Sequence, residues 1–235
     1  MRLIKKHFIP FQLTIQYRMH PALAEFPSNM FYKGNIRNGV TAKDRTRPSK
    51  DFPWRDWKNP MVFIDVDGME ERTPVDLSWQ NKLEALYVNN VLMTFRNNGI
   101  MGLKIGVITP YQSQKSMINS FTQSAFDPQL QEWYNDVTVS TVDGYQGAER
   151  DYIILSCVRN NDRDQIGFVE DLRRMNVSIT RARFGLIIIG SAAVLRKHDG
   201  WRELIDHFTK KGLVVRGSDL YPAPSPDNIV CNTDN

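Results

Sequence analysis

Only two cysteines occur in the 235 residues. Cys157 lies in an apolar run and Cys231 in a polar tail, so a disulfide framework is excluded and a reducing compartment fits. No apolar run approaches the ~20 residues of a membrane span. The basic start, Met1 to His7, is not followed by the apolar segment that a signal peptide needs. The four histidines, His7, His20, His198 and His207, are scattered without metal-ligand spacing. There is no Gly-x-x-x-x-Gly-Lys-Ser/Thr loop to cradle phosphates, no apolar strand ending in paired carboxylates for magnesium, and no Gly-x-Ser-x-Gly elbow. Taken alone, the sequence has no recognisable catalytic centre. Its arginines, glutamines and glycines in strand-end loops suit a surface that completes another domain's site. A chain starting at Met1 just upstream of its first strand reads as part of a longer protein.

What is present is a globular composition, with 41% hydrophobic and 24% charged residues. The net charge of +4, from 30 Lys+Arg against 26 Asp+Glu, permits a nucleic-acid partner without demonstrating one. Short apolar runs alternate with amphipathic stretches. Strands are expected at 13–16, 61–66, 104–109, 137–142, 152–158 and 185–190, with a last edge strand at 213–215. Pro21 is placed to open a helix to about Tyr32. Residues 33–60, with their glycines and prolines, read as a surface excursion. Asn81 and Glu84 have the spacing of a capping-box variant at the start of a further helix, and Gly99 is a stop signal. Residues 168–182 are expected to be helical, with Phe168, Leu172, Met175, Ile179 and Ala182 on one stripe and Arg174 and Arg181 projecting together on another face. The pattern predicts an α/β three-layer sandwich: a mostly parallel sheet with helices on both faces. Residues 1–217 form the domain, and 218–235 a flexible tail. Ligands of such sheets sit beyond the carboxyl ends of the strands.

Four polar clusters stand out. Gln16-Tyr17-Arg18-Met19-His20-Pro21 combines a stacking ring with an arginine near a helix start. Thr109-Pro110-Tyr111-Gln112-Ser113-Gln114 leads from a strand into a helix, where hydroxyls and amides suit a sugar-phosphate backbone. Val142-Asp143-Gly144-Tyr145-Gln146-Gly147-Ala148-Glu149-Arg150-Asp151 offers glycines for close backbone approach and a carboxylate for ribose hydroxyls. Arg173-Arg174-Met175-Asn176-Val177-Ser178-Ile179-Thr180-Arg181-Ala182-Arg183 carries the arginines. On residue types alone, a satisfied structural role explains each cluster at least as well as a ligand does.

The order and combination of the four are more specific. They resemble the motif series of the second motor domain of superfamily 1 helicases, over residues 3 to about 217. The stretches Phe26-Pro27-Ser28-Asn29-Met30-Phe31-Tyr32-Lys33-Gly34 and Ile153-Ile154-Leu155-Ser156-Cys157-Val158-Arg159 narrow the resemblance to the up-frameshift RNA helicases of nonsense-mediated mRNA decay. That resemblance implies a RecA-like fold and a cytoplasmic, ATP-dependent 5′-to-3′ helicase. Tyr17 would stack on adenine. Arg18 and Arg181 would reach the γ-phosphate, Arg181 as the arginine finger. Glu149 would hold the ribose, with Gln146 and Gly147 lining the nucleotide cleft, and Thr109, Tyr111, Gln114 and Thr141 would touch RNA. ATP and Mg2+ would be bound mainly by the first RecA-like domain of the same protein. Single-stranded RNA and other decay factors would be partners, and no membrane would be involved. Departures from the family pattern include Gln112-Ser113 after Thr-Pro-Tyr, Leu172 before the paired arginines, and Ser178. A non-catalytic nucleotide- or RNA-binding module and a DNA-acting sister helicase stay open as alternatives.

Overall fold

The computed structural model describes residues 12–47, 50–74, 77–123 and 127–221. Its centre is a six-stranded sheet built from β3 (Met61–Asp65), β6 (Ile105–Thr109), β7 (Thr138–Thr141), β8 (Arg150–Ser156), β9 (Ala182–Gly190) and β10 (Val214–Arg216). The strand order is β10-β3-β9-β8-β6-β7 and every pairing is parallel. Consecutive side chains of a strand point to opposite faces, so each central strand feeds two cores. Phe63, Ile153, Leu155 and Ile188 enter one apolar cluster, while Val62, Ile64, Ile154 and Ile187 enter the other. The first cluster is closed by α1 (Pro21–Tyr32), α5 (Leu172–Ile179), α6 (Ala192–Leu195) and α7 (Asp199–Lys210). The second is closed by α2 (Lys82–Asn97), α3 (Gln112–Gln123) and α4 (Pro128–Asn135). This is the expected α/β sandwich. Two small pairs lie outside the main sheet: β1 (Ile15–Gln16) with β2 (Arg37–Asn38), parallel, and β4 (Glu71–Arg72) with β5 (Trp79–Gln80), antiparallel.

Local signals set the helix ends. The Nδ1 of His20 accepts the amide of Ala22 at 3.1 Å, and Pro21 takes the first turn, where its missing N–H is harmless. Burial lowers the His20 pKa, which favours the neutral acceptor that this cap requires. Lys33 (φ 55) and Gly34 (φ 74) turn the chain out of α1. At α2, Asn81 caps as expected, accepting the Glu84 amide at 3.1 Å. The reciprocal half of the capping box is absent. The amide of Asn81 donates instead to Gln114 at 2.7 Å, and the Glu84 carboxylate turns inward to accept from Ser156 Oγ (2.7 Å) and the Val158 amide (2.8 Å).

Three expectations need correction. The helix over 168–182 is broken: a 3₁₀ turn covers Gly167–Glu170, Asp171 caps a new start by accepting the Arg173 amide at 2.8 Å, and Ala182 belongs to β9. Of the stripe, Met175, Ile179 and Ala182 are buried, while Phe168 and Leu172 are exposed. The excursion before β3 is not all surface. Phe52 and Trp54 plug the second core, held by Asp51, which accepts from the Phe52 amide, Trp54 Nε1 and the Tyr152 hydroxyl. The expected domain edge at 217 falls short: α8 (Gly217–Leu220) follows β10 directly, and the Tyr221 hydroxyl lies 2.9 Å from Thr94 Oγ1. The rest of the expected tail lies outside the described residues.

Glu84 gives the core a pH dependence. Burial pushes its carboxyl up to about 7, against hydrogen bonds from Ser156 and Val158 that favour the ionised form. A raised carboxyl value means that the folded chain binds this proton more tightly than the unfolded chain. The resulting stability is full below the ordinary value near 4.5 and is lost as pH rises through about 7. Glu84→Gln, permanently uncharged, is expected to remove this component. Melting curves should show the wild type losing stability relative to the variant between about pH 5 and about pH 7.5. Parallel curves across that range would contradict it.

Candidate functional site

Glu149 and Arg181 immediately precede β8 and β9, and these strands pair with Arg150 opposite Ala182. Because the sheet is parallel, both residues stand at its amino edge. Arg18, in the turn from β1 to α1, joins them there. Its Nε pairs with the Glu149 carboxylate, and its Nη1 donates to the Thr180 carbonyl at 3.0 Å. Arg181 donates from Nε to the Val177 carbonyl (2.8 Å) and from Nη2 to Thr180 Oγ1 (2.9 Å). The two guanidinium groups thus converge on one residue, Thr180, at the C-terminus of α5. They border a cleft of about 180 Å³ floored by Met19, Ala24, Pro27 and Ile36. Burial, and then the nearby Arg18 charge, pull the Arg181 pKa below the ordinary guanidinium value, though Glu149 opposes this. With Arg183 Nε 4.0 Å from the other oxygen of Glu149, three guanidinium groups surround one carboxylate, a site that gains from an incoming anion.

The turn that presents Arg18 is held from two sides. Oε1 of Gln16 accepts the amides of Arg18 (2.9 Å) and Met19 (2.7 Å), while Nε2 donates to the Met19 carbonyl (2.9 Å) and Asn38 (2.7 Å). Arg45, from the excursion, donates Nε to the Arg18 carbonyl at 2.7 Å and Nη2 to the Tyr17 carbonyl at 2.6 Å. The His20 amide donates to the Arg183 carbonyl at 2.8 Å, tying the turn to β9. Tyr17 is 64% exposed, and its ring lies over Gly39, where a Cβ would come within 2.3 Å of the ring.

The other expected site residues do not gather here. Gln146 borders a separate hollow with Asp143, Arg173, Arg174 and Val177. Gly147 is exposed at φ +88, with open space where a Cβ would stand, so its role there is conformational. Arg174 does not project with Arg181, because it forms a two-bonded pair with Asp143 at 2.8 and 3.1 Å. Thr109, Tyr111 and Gln114 are buried. The Tyr111 hydroxyl donates to the Ile166 carbonyl at 3.2 Å. Gln114 Nε2 donates to the Asn81 carbonyl (3.1 Å) and to Ser156 (3.0 Å). They lie at the carboxyl end of β6, an interior strand, where Thr109 and Gln114 turn into the core and Tyr111, itself nearly buried, lines the floor of a crevice. Thr141, at the end of β7, is half-buried and accepts the Gly144 amide at 3.4 Å. Arg45 carried no sequence signal, and Thr180 lay inside the fourth cluster without a role of its own, since both roles come from chain segments that meet only in the fold. Among the described residues no group of three or more His, Cys, Asp or Glu side chains could hold a metal ion.

A family model described as an AAA domain matches residues 1–193. The chain is 47% identical over 216 residues to the regulator of nonsense transcripts 1 homolog of Neurospora crassa, covering 92% of the chain and 20% of that protein. It is likewise 47% identical to the regulator of nonsense transcripts 1 of Dictyostelium discoideum, over 92% of the chain and 16% of that protein. It is 43% identical to the ATP-dependent helicase NAM7 of Saccharomyces cerevisiae, over 92% of the chain and 22% of that protein. The chain therefore spans about a fifth of the length of the curated relatives it matches.

Arg45→Ala deletes two hydrogen bonds from a cation to the carbonyls of Tyr17 and Arg18. Because Arg45 is partly solvated, the global loss should be small, about 1 kcal/mol or less. Amide exchange at Arg18 and Met19 is expected to quicken by about tenfold while the rest of the sheet is unchanged. Unaltered exchange at those two amides would mean that Gln16 alone holds the turn.

Proposed function

The chain belongs to the AAA domain family, with regulators of nonsense transcripts as its relatives, and on that premise we propose that it forms the second RecA-like half of an ATP-driven 5′-to-3′ RNA helicase acting in nonsense-mediated mRNA decay. The observation that carries the proposal is the convergence of Arg18 and Arg181 on Thr180 beside Glu149. Phosphoryl transfer spreads negative charge over the γ-phosphate oxygens, and a planar guanidinium meets two such oxygens at once. The two arginines fit a nucleotide triphosphate because they sit close together and half-desolvated, an arrangement that an anion relieves. Arg181 acts as the finger and Arg18 as its companion. Glu149, which holds Arg18 in this structure, would exchange that contact for the ribose hydroxyls. Tyr17 offers its exposed face to the base.

A preceding RecA-like domain of the same protein would supply the phosphate loop and the ligands of Mg2+. The cleft would close when the arginines meet the γ-phosphate and open after hydrolysis, moving single-stranded RNA held across both domains. Other decay factors would bind the assembled protein in the cytoplasm. Among the described residues, no helix is long and apolar enough to cross a membrane.

In the full-length protein, Arg181→Ala is expected to lower ATP turnover by about 10³-fold or more with near-normal ATP affinity, because the finger acts on charge that develops in the transition state. Arg181→Lys should not restore it. Tyr17→Ala should raise the Kd for ATP more than it lowers kcat. Steady-state kinetics with equilibrium nucleotide binding on the three variants decides the matter. Near-normal turnover in Arg181→Ala would refute the assignment.

A further inference from the structure

We propose that a crevice on the opposite edge of the sheet, between Trp79 and Phe168, is a stacking site for one nucleobase of a single strand. This deepens the helicase reading and rests on it only for the source of the base. The crevice is about 430 Å³ and is lined chiefly by Arg72, Trp79, Tyr111, Arg159, Gly167 and Phe168. Tyr111 follows β6 and Arg159 follows β8, so the crevice lies beyond the carboxyl ends of two neighbouring parallel strands, where ligands of such sheets are held. The nucleotide cleft, with Glu149 and Arg181 at the strands' amino ends, is a different place, so the base of ATP is not the occupant.

The floor is built and rigid. Arg159 and Glu70 form a nearly buried two-bonded pair, at 2.8 and 3.1 Å. Glu70 also accepts the Asn160 amide (2.9 Å) and Asn161 Nδ2 (3.0 Å). The Arg159 guanidinium lies 4.6 Å from the Trp79 ring centre and 5.9 Å from that of Tyr111, and donates to the Tyr111 hydroxyl at 3.2 Å. One neutralised cation therefore fixes two aromatic rings. A Cβ at Gly167 would stand 2.7 Å from Arg159 Nη1 and 3.2 Å from the Tyr111 hydroxyl, so a side chain there would push on the floor, and the φ of +53 also favours glycine.

One wall, at Phe168, is open where the floor is closed. Phe168 is 59% exposed, with its ring centre 6.0 Å from that of Tyr111 and the Arg174 guanidinium 5.0 Å from its own ring centre. Across the crevice, the Arg72 guanidinium lies 5.8 Å from the Trp79 ring, braced by its bond to the Leu77 carbonyl at 3.0 Å. Phe168 presents an exposed ring, while Trp79 is half-buried and held by Arg159 and the core beneath it, so one open ring and one fixed ring flank the space for a flat ligand. Arginines stand at both ends, Arg72 on one side and, on the other, Arg173 and Arg174, which a phosphate would have to draw from their pairs with Asp171 and Asp143. An aromatic slot between cations matches a base between its flanking phosphates, and such stacking tolerates any base.

The test uses the full-length protein and anisotropy titrations of short fluorescein-labelled oligouridylate and oligodeoxythymidylate. Phe168→Ala, at an exposed position, should weaken binding about tenfold, and Phe168→Tyr should restore it. Arg72→Lys should also weaken binding, since it keeps the charge and loses the plane. An abasic position walked along the strand should find one register that weakens the wild type and costs Phe168→Ala nothing further. Losses on both strands assign the contact to the base, and a loss on oligouridylate alone adds the ribose hydroxyl; either supports the site. Wild-type affinity in Phe168→Ala and Arg72→Lys overturns the site and leaves the helicase reading standing. A wild type that binds neither strand defeats both.

Discussion

Six strands that all run the same way give this domain two chemically separate edges, and everything else in the structure is arranged around that constraint. A parallel sheet cannot be joined by hairpins, so each connection must cross a face, usually as a helix. Those crossings bury both faces and leave only the two edges free for polar work. The amino edge carries Arg18, Glu149 and Arg181. The carboxyl edge carries Tyr111, Arg159 and the hairpin of β4 and β5. Helix α5 connects the two, with Phe168 just before it and Arg181 just after it. A domain that answers a nucleotide at one edge and a strand at the other needs such a rigid spacer.

The carboxyl edge is stiffened by buried polar groups rather than by packing alone. Asn81 Nδ2 donates to the carbonyls of Gly68 (2.7 Å) and Val158 (3.1 Å), and Gln114 bridges Asn81 to Ser156. Glu84 receives Ser156 and the Val158 amide. Val158 is a β-branched residue at φ +74, a conformation that costs about 1–3 kcal/mol and persists only where its surroundings over-determine it. The chain leaves β8 through this strained residue directly into Arg159, so the network sets the direction from which Arg159 meets Trp79 and Tyr111. Both bonds to Glu84 fall on Oε2 and its Oε1 is buried without a partner, but the bonds that are made rigidify the edge, because breaking them would strand further buried donors and acceptors.

Patterns of short range were legible in the chain itself. Period and composition located the strands, the two-faced sheet and the helices opened by Pro21 and Asn81, since hydrophobic alternation and capping act between residues a few positions apart. The motif series marked Tyr17, Arg18, Glu149 and Arg181 as a set. Sequence spacing could not tell which polar residues face solvent: Thr109, Tyr111 and Gln114 carry functional-looking side chains and are buried, because β6 lies between β8 and β7 and the chain after it turns inward. Only the tertiary structure brought Arg45 under the Tyr17–Arg18 turn, joined two arginines at Thr180, and set Trp79 against Arg159 across 80 residues of chain. Such contacts depend on strand order and register, which long-range packing fixes, and nothing in the local sequence near either partner encodes them.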